Sequence, residues 1–365
     1  MASEKVRFWF RSRFWDSLGP GLITGAADDD PSGIATYSVA GAQLGTALLW
    51  TALITWPLMA AVQMMCARIG MVRGQGLSDA FKTKFPRPFV VVAITALLLA
   101  NTINVGADLA GMADAAEMLT HLSSHLWVIV FAIGIFVAIV RLRYCEIANT
   151  LKWLALVLFA YVISAFVIRP DWGTVLHDTL IPSMPHGKQG WETLVAILGT
   201  TISPYLFFWQ AAQEVEEEKA AGRKTLTQRK GATINEIRTR QFDVGVGTFF
   251  SNLVMYFIIL TTAFTLHRSG QTNIGTSKDA AMALLPLAGR LATTLYTVGI
   301  IGVGLLAIPT LTGSAAYAFA EALGLRQGLD KRVRQARAFY AIILASTVAA
   351  VIMDFMRIGP VKALY

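Results

Sequence analysis

Charge is the scarce ingredient of this chain. Asp, Glu, Lys and Arg make up 15% of its 365 residues, while hydrophobic residues make up 55%. A soluble domain carries about 25% charged residues, so too few remain here to cover a water-facing surface. The composition excludes an ordinary soluble domain and points to an all-α integral membrane protein. Cysteine is almost absent. Cys66 and Cys145 fall near expected cytoplasmic helix ends on different hairpins, which predicts free thiols, no disulfide and no thiolate metal site. Histidine is sparse as well: His121, His125, His177, His186 and His267 all lie in or beside expected outer segments. Only His121 and His125 stand four apart, on a short loop, so a surface role is expected rather than zinc binding. No strand precedes Gly19-Pro20-Gly21 and Gly25, which removes a dinucleotide-binding reading. No nucleophile–base pair or cofactor motif stands out, and the chain is read as a non-enzyme without a cofactor.

What the chain has in quantity is long apolar runs. A span needs about 20 apolar residues, and nine candidates lie near 18–40, 46–67, 88–118, 126–141, 151–168, 191–212, 243–266, 291–320 and 338–355. The basic, aromatic start and the polar-interrupted first run do not fit a cleavable signal peptide. The net charge of +8 would suit nucleic acid, but its placement argues for topology. With the N-terminus inside, 24 of the 31 Lys and Arg fall in cytoplasmic segments, which is the positive-inside bias. A cytoplasmic N-terminus in a bacterial inner (plasma) membrane is expected, with no nucleic-acid partner. Phe8, Trp9, Phe10, Phe14 and Trp15, interleaved with Arg7, Arg11 and Arg13, suit a segment lying on the inner lipid surface. The 213–241 stretch reads as a long, solvated, charged cytoplasmic loop. The 169–190 connection is polar and lies outside.

Two of the apolar runs are interrupted in the same way. The first contains Ala27-Asp28-Asp29-Asp30-Pro31-Ser32-Gly33, and the second contains Gly199-Thr200-Thr201-Ile202-Ser203-Pro204-Tyr205. Broken helices at matching positions of two halves are the best sequence pointer to a transporter's substrate site. Proline lacks an N–H, so the carbonyl four residues earlier loses its helical partner. Pro31 frees that of Ala27 and Pro204 frees that of Thr200. Freed carbonyls and adjacent carboxylates are oxygen ligands for cations, and the acids at the first break decide for a cationic site. An ionisable residue at membrane depth is a functional hypothesis by default. Asp28, Asp29 and Asp30 cannot all point one way at about 100° per residue; Asp30, directly before the proline, is chosen as the main ligand. The chain reads as one transmembrane domain, 1–365, with a first repeat over about 17–168 and an inverted, incomplete second repeat over about 190–365. Five plus five helices would complete such a repeat, so a last element missing from the chain by truncation is expected.

Gly19-Pro20-Gly21 with Asp30-Pro31-Ser32-Gly33 resembles the first helix of NRAMP-type divalent metal transporters, which reads GPG…DPGN. The run Ile197–Tyr205 resembles their sixth helix, ILGATVMPH, and Phe250–Met255 in the seventh helix is similar too. The resemblance implies a LeuT-type inverted-repeat fold with broken first and sixth helices, and proton-linked uptake of divalent ions. Carried over residue by residue, it retains Asp30 and the Thr200 carbonyl as ligands. The family's Asn position holds Gly33 and its Met position holds Ser203. Loss of the thioether weakens selectivity for thiophilic metals. An oxygen-only site with Asp28 and Asp29 as auxiliary ligands suits Mg²⁺, Mn²⁺ or Ca²⁺. The two sixth-helix histidines correspond to Tyr205 and Gln210, which are expected, with Gly33, to line the substrate path. Asp108 resembles the third-helix acid of the proton route, with a structural hydrogen-bond role as the equal alternative; the acid three residues on is Gly111. Asp114 and Glu117 lie nearer the outer end and read as solvated. Met184-Pro185-His186 spells the family's MPH in a polar outer loop and is a chance match. The leading reading is secondary transport of a divalent metal cation by alternating access. The alternatives are ion-coupled transport of a small organic solute, with Phe207, Phe208 and Trp209 as an apolar wall, and a non-transporting membrane sensor. Oligomeric state is not legible.

Overall fold

The computed structural model describes residues 19–141, 156–185, 187–272, 274, 277–284, 289–329 and 331–356. Cys145, His186 and the aromatic–basic cluster of residues 7–15 lie outside the described residues. Among those described there are helices and no strand. The helices are α1 (Pro20–Asp28), α2 (Pro31–Leu44), α3 (Trp50–Arg73), α4 (Leu77–Lys84), α5 (Arg87–Thr120), α6 (Ser124–Arg141) and α7 (Phe159–Ile168). There follow α8 (Trp172–Leu180), α9 (Gly187–Thr201), α10 (Pro204–Ala220), α11 (Leu226–Arg229), α12 (Ile234–Thr262), α13 (Ser277–Ala281), α14 (Ala292–Leu323) and α15 (Arg337–Phe355).

Seven stretches among the described residues are long and apolar enough to cross a membrane, counting α9 with α10 as one. Nine were expected; where the other two were placed, the described residues hold the short α1–α2 pair and the shorter apolar helix Leu156–Ile168, neither a single span-length helix. Exposed Leu, Ile, Val and Phe side chains on α3, α5, α6 and α15 are what lipid-facing helices require, since hydrocarbon penalises only polar surface.

Each break has a local cause. Proline fits the first turn of a helix because the N–H it lacks is unsatisfied there anyway, so Pro31 and Pro204 each begin a new half-helix. Asp30 is the N-cap of α2: its Oδ1 accepts from Gly33 N at 2.6 Å. Ser203 precedes α10, but its hydroxyl turns back to donate to the Gly199 carbonyl at 3.0 Å.

One expectation is corrected. The charged stretch 213–241 is a solvated connection only in its middle, about 221–233: α10 continues to Ala220, α12 begins at Ile234, and Gln213, Glu214, Glu218 and Arg240 at the two ends are buried. Charge count alone suggested water, but these charges face one another across two helices. The outer 169–190 connection also holds structure, since α8 is tied down by Thr46 to Asp178, by Thr179 to Tyr256 at 2.9 Å, and through Trp50 to the Ser183 carbonyl at 3.2 Å.

The α1–α12 seam is a backbone contact. A β-carbon at Gly25 would lie 2.8 Å from Gly247 Cα, and one at Gly247 would lie 3.0 Å from Leu22 Cα. Such overlap forces the helices apart, and over-packing a tight interior costs about 1–3 kcal/mol. Gly25→Ala is therefore expected to lower the melting temperature in detergent. Gly134→Ala, where a β-carbon meets nothing within 4 Å, is expected to leave it unchanged or raise it, because alanine favours helix by about 0.5–1 kcal/mol.

Candidate functional site

The two breaks meet at Asp30. Its carboxylate is buried and uses Oδ1 locally, accepting from Gly33 N at 2.6 Å and from the Ser32 hydroxyl at 2.8 Å. Oδ2 lies 3.5 Å from the Tyr205 hydroxyl. That hydroxyl donates to the Ala27 carbonyl at 2.9 Å, so the group freed by Pro31 is satisfied by a side chain from the other broken helix. Gly33 sits between the two breaks: a β-carbon there would lie 3.0 Å from Asp30 Oδ1 and 3.4 Å from Thr200 Oγ1. Asp30, Gly33, Thr200 and Tyr205 are thus brought together. Both α2 and α10 present their N-terminal ends at the breaks, while α1 and α9 end there with carbonyls.

The other two aspartates turn elsewhere. Asp28 Oδ2 accepts from the Ser251 hydroxyl of α12 at 2.5 Å, and Asp29 Oδ1 lies 3.4 Å from the same hydroxyl. All three carboxylates are buried. Among the described residues no three His, Cys, Asp or Glu side chains gather as a metal centre would require. A cation at Asp30 would therefore draw on carbonyl, hydroxyl and water oxygens rather than on a carboxylate cage.

Asp108 on α5 is fully buried, and its Oδ1 accepts from Ser32 N at 3.0 Å. Ser32 therefore stands between Asp30 and Asp108, bonded to both. Gly111, one turn further along α5, lies against Pro31: a β-carbon there would be 3.2 Å from the proline Cβ. Asp114 is half-buried and Glu117 exposed, the latter accepting from Ser124 N at 2.8 Å. His125 pairs with Asp354 at 2.8 Å, and His121 ends α5 in the left-handed region. Phe208 packs edge-on against Phe81, and Trp209 against Tyr317; both are core contacts.

Gln210 belongs to a second polar layer, away from Asp30. Its Oε1 accepts from Gln63 Nε2 at 3.1 Å and lies 2.9 Å from the Thr24 hydroxyl, while its Nε2 donates to Glu214 at 2.6 Å. Glu214 in turn accepts from Arg240 Nε at 2.9 Å. The same guanidinium reaches Asp243 at 2.6 Å and Glu217. Asp243 then caps α1 from outside, accepting from Gly19 N and Gly21 N at 2.8 Å each and from Leu22 N at 3.1 Å. A carboxylate at a helix N-terminus gains from both the free N–H groups and the helix dipole. This cluster closes one end of the bundle.

A cavity of about 530 Å³ lies along α9, lined from Lys188, Trp191 and Glu192 in its first turns to Gly199 and Thr200 at its end, with Thr36 of α2 and Asn104 of α5 facing it. Ser32, Ser251, Asn104 and the Glu214–Arg240–Asp243 cluster were not singled out from the sequence. The spacing of Glu214 with Glu217 and of Arg240 with Asp243, three apart on helices, is the signal that would have found the last of these.

The architecture is that of a membrane transporter of the LeuT type, with two broken helices meeting in the bundle. The sequence profile described as natural resistance-associated macrophage protein-like matches residues 21–365, and the chain belongs to this Nramp family. It is 27% identical over 294 residues to the divalent metal cation transporter MntH of Yersinia pestis (strain Pestoides F), covering 79% of this chain and 68% of that protein. It is 26% identical over 311 residues to the protein of the same name from Mesorhizobium japonicum, covering 83% and 66%. Among solved structures, a mutant manganese transporter of Eremococcus coleocola superposes with a TM-score of 0.69 at 18% identity, covering 95% of this chain and 73% of that one. Mhp1, a nucleobase-cation-symport-1 family transporter, superposes at 0.59 and 14% identity, covering 94% and 72%. Both likenesses speak to the fold.

Two outcomes follow from the geometry. Tyr205→Phe removes the donor to the Ala27 carbonyl, and an orphaned buried acceptor costs about 1–3 kcal/mol, read as a lower melting temperature. Asp243→Ala leaves Arg240 short of one partner and three helix N–H groups bare. Breaking a buried ion pair costs about 3–5 kcal/mol, so hydrogen exchange over residues 19–22 is expected to rise at least tenfold.

Proposed function

We infer that this chain carries a divalent metal cation across the membrane as a secondary transporter, by alternating access around the two breaks. The observation that carries the reading is Asp30: a buried carboxylate held between two half-helix ends, with one oxygen committed to capping and Oδ2 facing Tyr205. Asp30 and the Thr200 carbonyl are the main ligands and Ser203 an auxiliary oxygen; Asp28 and Asp29, expected from the sequence as further auxiliaries, face Ser251 instead. Gly33, Tyr205 and Gln210 lie along the path. With no thioether in the Met position of the motif, an oxygen-only site favours Mg²⁺ or Mn²⁺ over thiophilic ions. Asp108, held beside the break by the Ser32 backbone N–H, is the acid placed to carry a coupled proton next to Asp30. The domain is the single membrane unit 1–365 with two repeats, sited in a bacterial inner (plasma) membrane with its N-terminus cytoplasmic. In that orientation the cavity along α9 faces outward and the Arg240 cluster seals the inside. The organic-solute reading is the weaker one, because Phe208 and Trp209, two of the three residues of its apolar wall, are engaged in core packing.

The test is uptake into proteoliposomes of Mn²⁺, Mg²⁺ and Ca²⁺ by the wild type and by Asp30→Ala. Uptake of a hard cation that falls to the level of empty vesicles in the variant is the expected result. A folded wild type that passes none of the three ions removes the cation-transport reading.

A further inference from the structure

One lipid-facing groove has a shape and a charge that plain helix packing does not require. It lies between α3 and α12, holds about 490 Å³, and is lined by Trp56 on one side and by Phe242, Gly245, Val246, Phe249 and Phe250 on the other. Trp56 meets Phe249 edge-on at 5.3 Å, and Phe249 meets Phe250 at 5.7 Å. These four aromatic residues are 39–48% exposed. Hydrocarbon tolerates such exposure, so exposure alone marks only a lipid-facing surface. The shape says more. A β-carbon at Gly245 would meet nothing within 4 Å, so this glycine leaves a notch in the aromatic wall. A concave apolar pocket with a few convergent polar groups is the usual form of a small-molecule site.

The polar groups stand at one end. On α12 the row Phe242, Val246 and Phe250, four residues apart, is continued backwards by Arg238. On α3 the matching row runs from Trp56 through Ala60 and Met64 to Arg68; rows of this kind form the ridges of a helix surface. The two helices are antiparallel. Thr55 donates to Asn252 at 2.7 Å near one end, and Gly231 N donates to the Val72 carbonyl at 2.9 Å near the other. At about 1.5 Å per residue, Arg68 lies about 18 Å along α3 from Trp56, and Arg238 about 17 Å along α12 from Phe249. The two arginines therefore share a level. Both are exposed, and neither is hydrogen-bonded or ion-paired to another described residue. Neighbouring arginines are committed: Arg73 to Thr83, Arg229 to the Gly74 carbonyl, and Arg240 to its carboxylates.

Two free guanidiniums at the end of an apolar groove match a phosphate that carries an acyl chain. The length agrees as well. Half of the hydrocarbon core is about 15 Å deep, so a headgroup at the arginines lays its chain past Phe242 and Phe249 to Trp56. We propose that this groove binds one anionic phospholipid of the bilayer, with its phosphate between Arg68 and Arg238 and one acyl chain over Gly245. In the orientation given above, the lipid belongs to the inner leaflet. It rests on the helix whose Gly247 and Asp243 hold α1, so it is expected to stabilise the bundle. Its binding does not depend on which solute the protein carries.

The probe is palmitoyl-oleoyl-phosphatidylglycerol, added to the purified chain in neutral detergent, with the matching phosphatidylcholine as control. At saturation the anionic lipid is expected to raise the melting temperature by about 3–5 °C over the control. The double change Arg68→Gln/Arg238→Gln is expected to lose most of that rise, and so is Gly245→Leu, which fills the notch. Arg326→Gln, at an exposed arginine beyond α14, is expected to keep it. Equal melting temperatures in the two lipids would overturn the proposal. A rise that survives the double change or Gly245→Leu would do the same, since net positive charge alone gives that response. Glycerol 3-phosphate reproducing the rise by itself would also overturn it, by showing an anion site without a chain. Should the double variant fail to fold, native mass spectrometry of Gly245→Leu decides. The wild type is expected to retain one phosphatidylglycerol through delipidation and Gly245→Leu none; equal retention by both sinks the site.

Discussion

Everything in this molecule follows from the demand that a backbone carbonyl or N–H inside hydrocarbon find a partner. An unbroken helix meets the demand by itself, and two of these helices are broken. The cost of the breaks is therefore met by side chains, and those side chains mark where the chemistry is. Tyr205 closes the carbonyl that Pro31 frees, Asp30 caps the half-helix that Pro31 begins, and Asp243 caps the first half-helix from a different element. A residue such as Asp30 is structural and chemical at once. Its Oδ1 holds α2 in place, and that fixed geometry is what positions Oδ2.

The polar groups are stacked in layers along the bundle. At one end, one guanidinium gathers three carboxylates, and one of these in turn holds three backbone N–H groups. The breaks lie further along, where the cavity beside α9 reaches Thr36 and Thr200. The charge-assisted bonds of the Arg240 cluster tie α1, α10 and α12 together, so these helices separate only if those bonds yield.

What could be read from the sequence was what depends on near neighbours. Pro31 and Pro204 announced the breaks, and the aspartate before the first proline pointed to the carboxylate that faces Tyr205. Asp30, Gly33 and Thr200 do meet, because each is fixed within a few residues of a break. Ser32 and Ser251 were invisible because their meaning comes from partners tens to hundreds of residues away. The two ends of the stretch 213–241 misled for the same reason. All its charges look solvated along the chain, yet Glu214 and Arg240 bury each other across a helix pair. Asp28 and Asp29 were expected to assist Asp30 as auxiliary ligands, but helical rotation turns them towards Ser251.

The seam between α1 and α12 has a consequence for inheritance. Gly21, Gly25 and Gly247 let two backbones touch with no side chain between them. Any change in the first two bases of a glycine codon inserts a β-carbon or more. The positions where this protein tolerates least variation are then ones that carry no functional group at all. Harmful alleles would be expected to gather there as densely as at the acids, and a map of tolerated variation would outline this helix contact as sharply as the carboxylates.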